Sequence, residues 1–342
     1  MMGNVQTGNG IRHILSSGTE ATQIPFEAIP IIDFAPMQGT DAIARQRVAN
    51  DLCKACIQVG FFYIKNHGID HSLVEDVFSQ SRHFFRRPFE EKMHIHISKS
   101  SHHRGYVPLL EENTDPTARG DLHEALDFAL DVPADDPDVL AGKSLYGPNV
   151  WPENLPGFQA TMDRYYWELY ELGRKIFQAF ALALELPEDF FEAKIQKPLA
   201  QLRLLHYPPQ KGPIDEKQIG IGAHSDYECF TILRQEDVPA LQVLNSEGKW
   251  ISAVPIPGTF IVNVGDQMAR WTNDLFSSTV HRAINRSGQE RYATAYFFGP
   301  HYDTLLETLP NCVTPQNPPK YQPITSGDYI LSRFNETFSY RK

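Results

Sequence analysis

The chain has 342 residues, enough for one large domain or two small ones with a sizeable core, and its 42% hydrophobic and 21% charged content is ordinary for a globular protein. A formal net charge of −11, with no basic stripe, argues against a nucleic-acid or anionic-membrane partner. Four cysteines (Cys53, Cys56, Cys229, Cys312) are too few for a disulfide scaffold, and no run has the length of a membrane span or the form of a secretory leader, so a cytoplasmic protein with free thiols is expected.

Residues 1–27 are polar, rich in Gly, Ser, Thr and Gln and aperiodic, which predicts a mobile tail. "IPIIDF" (29–34) reads as a short strand. Thr40 or Asp41 can cap a helix whose apolar stripe is Val48, Leu52, Ala55, Cys56 and Val59, with Gly60 as its stop. "FFYIKNHG" (61–68) is a strand ending in a turn, and a second helix runs from about Asp70 to Arg86, before Pro88. The stretch from about 94 to 156 has little periodicity and many Pro, Gly, Asp and His, and reads as long functional loops. A long helix from about Phe158 to Leu186 follows, carrying Met162, Tyr165, Leu169, Ile176 and Phe180 at helical spacing. From Leu202 the period shortens. "LRLLHYP", "CFTIL", "LQVL", "WISAVP", "TFIVNV", "STVHRAI" and "RYATAYFF" are short strands separated by turns, the pattern of a β-sandwich or barrel. The expected organisation is a tail (1–27), a helical and loop region (28–150), and a long helix with an all-β core (151–335), the last two forming one unit.

In "IGIGAHSDYECFTIL" (219–233), His224 and Asp226 stand two apart in a strand-like run, so strand alternation puts them on one face. A carboxylate on a buried face needs a charged partner, hydrogen bonds or a metal. His281, in "STVHRAI" 55 positions beyond Asp226, adds a second imidazole. Two imidazoles and a carboxylate suit a facial Fe(II) site with open positions or a tetrahedral zinc site, and a salt-bridged pair is the plain structural alternative. Arg291 opens "RYATAYFF", where alternation places it on a face with Ala293, Ala295 and Phe297. A guanidinium leading an apolar face wants a carboxylate, supplied either by the protein or by a small molecule.

His224-x-Asp226, His281 and Arg291, preceded by "LRLLHYP", together resemble the iron(II)- and 2-oxoglutarate-dependent oxygenases of the isopenicillin N synthase-like superfamily. The resemblance spans about residues 28–335 and includes "IPIIDF", "GFFYIKNHGI" and "RGYVPL"; "RLLHYP", "ARWTND" and "STVHR" are also similar to fungal thymine hydroxylases. It implies an α+β fold with a double-stranded β-helix (jelly-roll) core flanked by helices. It implies that His224, Asp226 and His281 hold Fe(II), and that 2-oxoglutarate chelates the iron while Arg291 and Tyr207 bind its far carboxylate. O2 would then drive oxidation of a small-molecule substrate with release of succinate and CO2. By the same analogy Arg104, Tyr106 and Phe297 contact that substrate. One position departs from the pattern: Ala293 stands where the family has a serine two residues after the arginine, which removes a hydroxyl from the far carboxylate.

An iron oxidase working without 2-oxoglutarate and a non-catalytic or zinc-binding β-barrel are the other readings. Both leave Arg291 without a purpose. His94-x-His96 and His102-His103 fall in loop-like sequence and read as surface histidines, and Cys53-x-x-Cys56 lies within a helix and reads as packing. The motifs do not encode the prime substrate, the type of product or the oligomeric state.

Overall fold

Residues 3–14, 29–114, 119–210, 215 and 217–337 are described by the computed structural model. The first half contains a hairpin of β1 (Gly3–Thr7) and β2 (Gly10–Ile14), then β3 (Ile31–Asp33), α1 (Ala42–Gln58), β4 (Phe61–Lys65), α2 (His71–Phe85) and the one-turn α3 (Phe89–Lys92). Next come β5 (Gly105–Val107), β6 (Glu124–Ala129), the short α4 (Pro137–Leu140) and the long α5 (Phe158–Ala183). The second half runs β7 (Leu199–Tyr207), β8 (Ile221–His224), β9 (Phe230–Gln235), β10 (Leu241–Leu244), β11 (Trp250–Ser252) and β12 (Thr259–Val264). After α6 (Asp266–Trp271) come β13 (His281–Ala283), β14 (Arg291–Gly299) and the C-terminal α7 (Ser326–Thr337).

The helices form where the local chemistry asks for them. The Asp41 carboxylate accepts from the backbone N–H groups of Ile43 and Ala44, opening α1, and Gly60, at φ 72°, turns the chain out of it. Helix α5 buries an aromatic row against the larger sheet: Phe177 meets Phe230 and Phe298 edge-on at 5.0 and 5.2 Å, and Tyr165 Oη lies 3.0 Å from Thr294 Oγ1. A Cβ at Gly173 would stand 2.2 Å from the Phe298 ring, so only glycine lets α5 approach β14 this closely.

The larger sheet has eight strands in the order β3-β4-β12-β9-β14-β7-β6-β5, and the smaller has four in the order β11-β10-β13-β8. They face each other across apolar clusters, one joining Leu205, Tyr207, Ala293 and Ala295 to Ala283, another joining Phe61, Tyr63 and Ile261 to Leu241 and Val243. This is the double-stranded β-helix, with helices α1, α2 and α5 on one side.

Two expectations change here. Residues 3–14, within the stretch read as a mobile tail, form a hairpin whose Thr7 is buried and whose Asn9 Nδ2 donates to the Asp266 carbonyl at 3.1 Å; residues 15–27 lie outside the described residues. The stretch 94–156, read as loops, contributes β5 and β6 to the larger sheet beside β7. Strand β6 hid from the sequence because "EALDFA" carries two acids yet is buried at every position. Asp127 is tolerated there through Arg203, and Glu124 through Lys92 and His206.

Candidate active site

Strand β8 ends at His224 and β13 begins at His281, and their antiparallel register sets the two residues opposite each other with ring centroids 4.3 Å apart. A backbone carbonyl orients each ring. His224 Nδ1 lies 2.8 Å from Gly222 O and His281 Nδ1 3.1 Å from Thr279 O, which assigns the proton to Nδ1 and leaves a lone pair on each Nε2. Both Nε2 atoms are 3.4 Å from Asp226 Oδ1, and the three ligand atoms all lie within 4.8 Å of one another. Asp226 stands past the end of β8 rather than on it, so strand alternation is not what aims it. Its Oδ2 accepts from Asn263 Nδ2 at 2.7 Å and from the Thr231 hydroxyl. One carboxylate oxygen is therefore anchored to β12 and β9 while the other faces the imidazoles. Two Nε2 lone pairs and one carboxylate oxygen converging from one side match a facial donor set for Fe(II).

The electrostatics follow from this packing. Burial alone would raise the Asp226 carboxyl, but the two imidazoles hold it well below the usual carboxylate range. Burial pulls the His224 imidazole down, and Asp226 reverses that into a net rise. Asp266 holds the ligand segments together. Its backbone N–H donates to Asp226 O at 2.8 Å, and its buried carboxyl lies 2.6 Å from Ser278 Oγ, 3.2 Å from Ser225 Oγ and 3.0 Å from Tyr329 Oη. Its partners are spread from residue 9 to residue 329, so no local pattern announces it.

Arg291 and Tyr207 are register partners on β14 and β7, and the guanidinium carbon sits 4.5 Å from the centre of the Tyr207 ring. Arg291 is 1% exposed. Its Nη2 donates to Gln235 Oε1 at 2.9 Å and its Nε to Val238 O at 3.3 Å, whereas Nη1 is buried with no hydrogen-bond partner among the described residues. None of the ion pairs among the described residues involves Arg291, so the protein carboxylate that could have explained it is missing there. A buried cation with an unmatched N–H asks for an anionic ligand. Gln235, which the sequence reading missed, touches both this guanidinium and, across the β9–β14 pair, the backbone of Ala293.

A cavity of about 80 Å³ lies beside the triad. His224, Asp226, Leu205, Ile221, Phe297 and Phe334 line it together with Glu112, Arg203 and Glu228. Leu205, Ile221 and Phe297 also belong to the apolar cluster that reaches Tyr207, which links the two parts of the site. Burial, and then the Asp226 carboxylate, push the Glu228 carboxyl up to about 8.

Of the three expected substrate contacts, the structure brings only Phe297 to this cavity. The Arg104 guanidinium is buried and donates to the carbonyls of His102, His103 and Leu145, lining a smaller neighbouring cavity. Tyr106 is 1% exposed in the helix-side core, with its hydroxyl donating to Glu124. Of the loop histidines, His94 is exposed and His102 half-buried, as expected, whereas His96 and His103 are buried. His96 is held between Ser98 and Glu111, and His103 stacks on Phe334 at 4.1 Å.

Residues 29–154 match the family model described as non-haem dioxygenase in morphine synthesis N-terminal, and residues 198–300 match that of the 2OG-Fe(II) oxygenase superfamily. The 2-oxoglutarate-Fe(II) type oxidoreductase hxnY of Emericella nidulans is 38% identical over 316 residues, covering 91% of this chain and 90% of its own. A homoarginine-6-hydroxylase of Glycine max is 36% identical over 327 residues, covering 92% of this chain and 98% of its own. Among solved structures, T7H of Neurospora crassa in complex with alpha-KG and thymine aligns with a TM-score of 0.81 at 30% identity, covering 92% of this chain and 98% of that one.

Proposed function

The chain belongs to the 2-oxoglutarate–Fe(II) oxygenase superfamily, and from that premise we propose that His224, Asp226 and His281 hold its iron and that Arg291, with Tyr207, holds the far carboxylate of 2-oxoglutarate. The bound pair supplies activation of O2, with 2-oxoglutarate converted to succinate and CO2. The protein's own contribution is positional. Gly222 and Thr279 carbonyls fix the imidazoles, Asn263 and Thr231 fix Asp226, and the apolar wall of Leu205, Ile221 and Phe297 keeps the reacting end of the site dry. The observation that carries this reading is Arg291, a buried guanidinium whose Nη1 has no partner among the described residues.

In this reading Phe297 packs against a small organic substrate, which the enzyme hydroxylates. Among the described residues no helix is long and apolar enough to cross a membrane. Four free thiols favour a reducing compartment, and we place the enzyme in the cytoplasm on that ground. The direct test is Fe(II) uptake under argon by the wild type and His281→Ala. One tightly held iron per wild-type chain and none in the variant is expected; equal iron in both would remove His281 from the site.

A further inference from the structure

Taking the cavity beside the triad as the substrate chamber of that oxygenase, on which this inference rests, we propose that Glu228 is its specificity-determining residue. It selects a small molecule carrying a cationic nitrogen, an amine or a guanidine. Glu228 is 5% exposed and lines the chamber together with His224 and Asp226. Among the described residues no other side chain hydrogen-bonds or ion-pairs with its carboxyl. The chamber's other charged groups are already matched. Arg203 is the only arginine or lysine among the described lining residues, and it makes four hydrogen bonds to two carboxylates: Nε and Nη2 to Asp127, Nη1 to both oxygens of Glu112, all at 2.8–2.9 Å. Glu112 is shared in turn with His123 at 3.1 Å.

What remains to meet a ligand is therefore an acceptor and not a cation. A buried carboxyl with no side-chain partner offers a ligand an acceptor, and a cationic nitrogen is the donor that complements it best. Phe297, Phe334 and Tyr227 line the chamber beside it, and Leu205 and Ile221 accommodate an aliphatic stem. An anionic substrate would instead meet Glu228 and Glu112 in a confined space. Because Glu228 lines the same chamber as His224 and Asp226, a cation held there occupies the space that the triad borders.

The test uses the Fe(II)-loaded full chain under argon with 2-oxoglutarate, whose visible charge-transfer band reports the complex and shifts when a molecule enters the chamber. Pentylguanidinium, the isosteric neutral pentylurea, and hexanoate serve as probes. Pentylguanidinium is expected to bind at least about tenfold more tightly than pentylurea, the gain of a charged hydrogen bond, with hexanoate weaker still. Glu228→Gln should reduce that preference to about twofold or less, and Glu228→Asp, which keeps the charge, should retain most of it. The inference is overturned if pentylurea or hexanoate binds the wild type as well as pentylguanidinium does, or if Glu228→Gln keeps the preference. It is overturned equally if none of the three shifts the band at up to about 10 mM. In each of those cases the band itself has formed and the oxygenase site stands. Failure of the band to form on adding 2-oxoglutarate overturns that site and this inference together.

Discussion

Replacing Arg291 with leucine separates the two roles open to a buried guanidinium, because the ligand role and the structural role predict opposite responses. In the metal-free protein the substitution removes two hydrogen bonds, to Gln235 Oε1 and Val238 O, each worth about 1 kcal/mol, and leaves the Gln235 oxygen without that donor. It also removes a buried Nη1 that has no partner, an unfavourable group of about 1–3 kcal/mol. These effects nearly cancel, so the metal-free fold should change by no more than about 2 kcal/mol in urea unfolding. A guanidinium that served as half of a structural ion pair would cost about 3–5 kcal/mol on removal. For the cosubstrate the loss is one-sided. The far carboxylate of 2-oxoglutarate would be buried without its cation, which costs about 2–5 kcal/mol, or roughly 30- to 5,000-fold in Kd. Anaerobic calorimetry of 2-oxoglutarate binding to the metal-loaded variant measures this directly. A Kd within about threefold of the wild type would refute the assignment of Arg291, and a large loss of metal-free stability would move it to the structural side.

Three further outcomes follow from the packing around the site. Asn263→Leu frees one side of Asp226 Oδ2 and should weaken metal affinity by about 10- to 100-fold in competition with a chromogenic chelator; an unchanged affinity would show that the anchor is idle. Metal must displace any proton on His224, whose imidazole is raised above its ordinary range by Asp226 once burial is overcome. Iron affinity should therefore be level at high pH and fall as pH drops through that raised value, by up to about tenfold per pH unit for each proton displaced; a level profile down to about pH 5 would contradict this. Asp127→Ala leaves the buried Arg203 with half of its carboxylate partners and should cost about 3–5 kcal/mol of stability, and a loss under about 1 kcal/mol would mean that Glu112 suffices alone.

The sequence displays the parts of this molecule that depend on short-range pattern. Long helical periodicity located α5 to within a few residues, and the motif pattern marked His224, Asp226 and His281, which the fold brings together from two separate segments. Parts stabilised by distant partners were not legible. Strand β6 looks too acidic to be buried until Arg203, Lys92 and His206 arrive from elsewhere in the chain. The first hairpin has no apolar alternation of its own and is tied at Asn9 to the Asp266 carbonyl, more than 250 residues away. Asp226 was found for an incomplete reason: it lies past the strand end and is aimed by Asn263 and Thr231. Arg104 and Tyr106, expected by analogy to contact the substrate, are instead seen in hydrogen bonds with the protein itself. Glu228 carried no signal, since only the folded chamber reveals a carboxyl lacking a side-chain partner.

The most direct measurement is the conversion of 2-oxoglutarate to succinate in air by the iron-loaded wild type and by Asp226→Ala, with iron content determined for both. Loss of the only carboxylate in the triad is expected to abolish tight iron binding and bring succinate formation to background while the circular dichroism spectrum is retained. Succinate formed by Asp226→Ala at the wild-type rate, or formed by the wild type without added or retained iron, would contradict the assignment of the site.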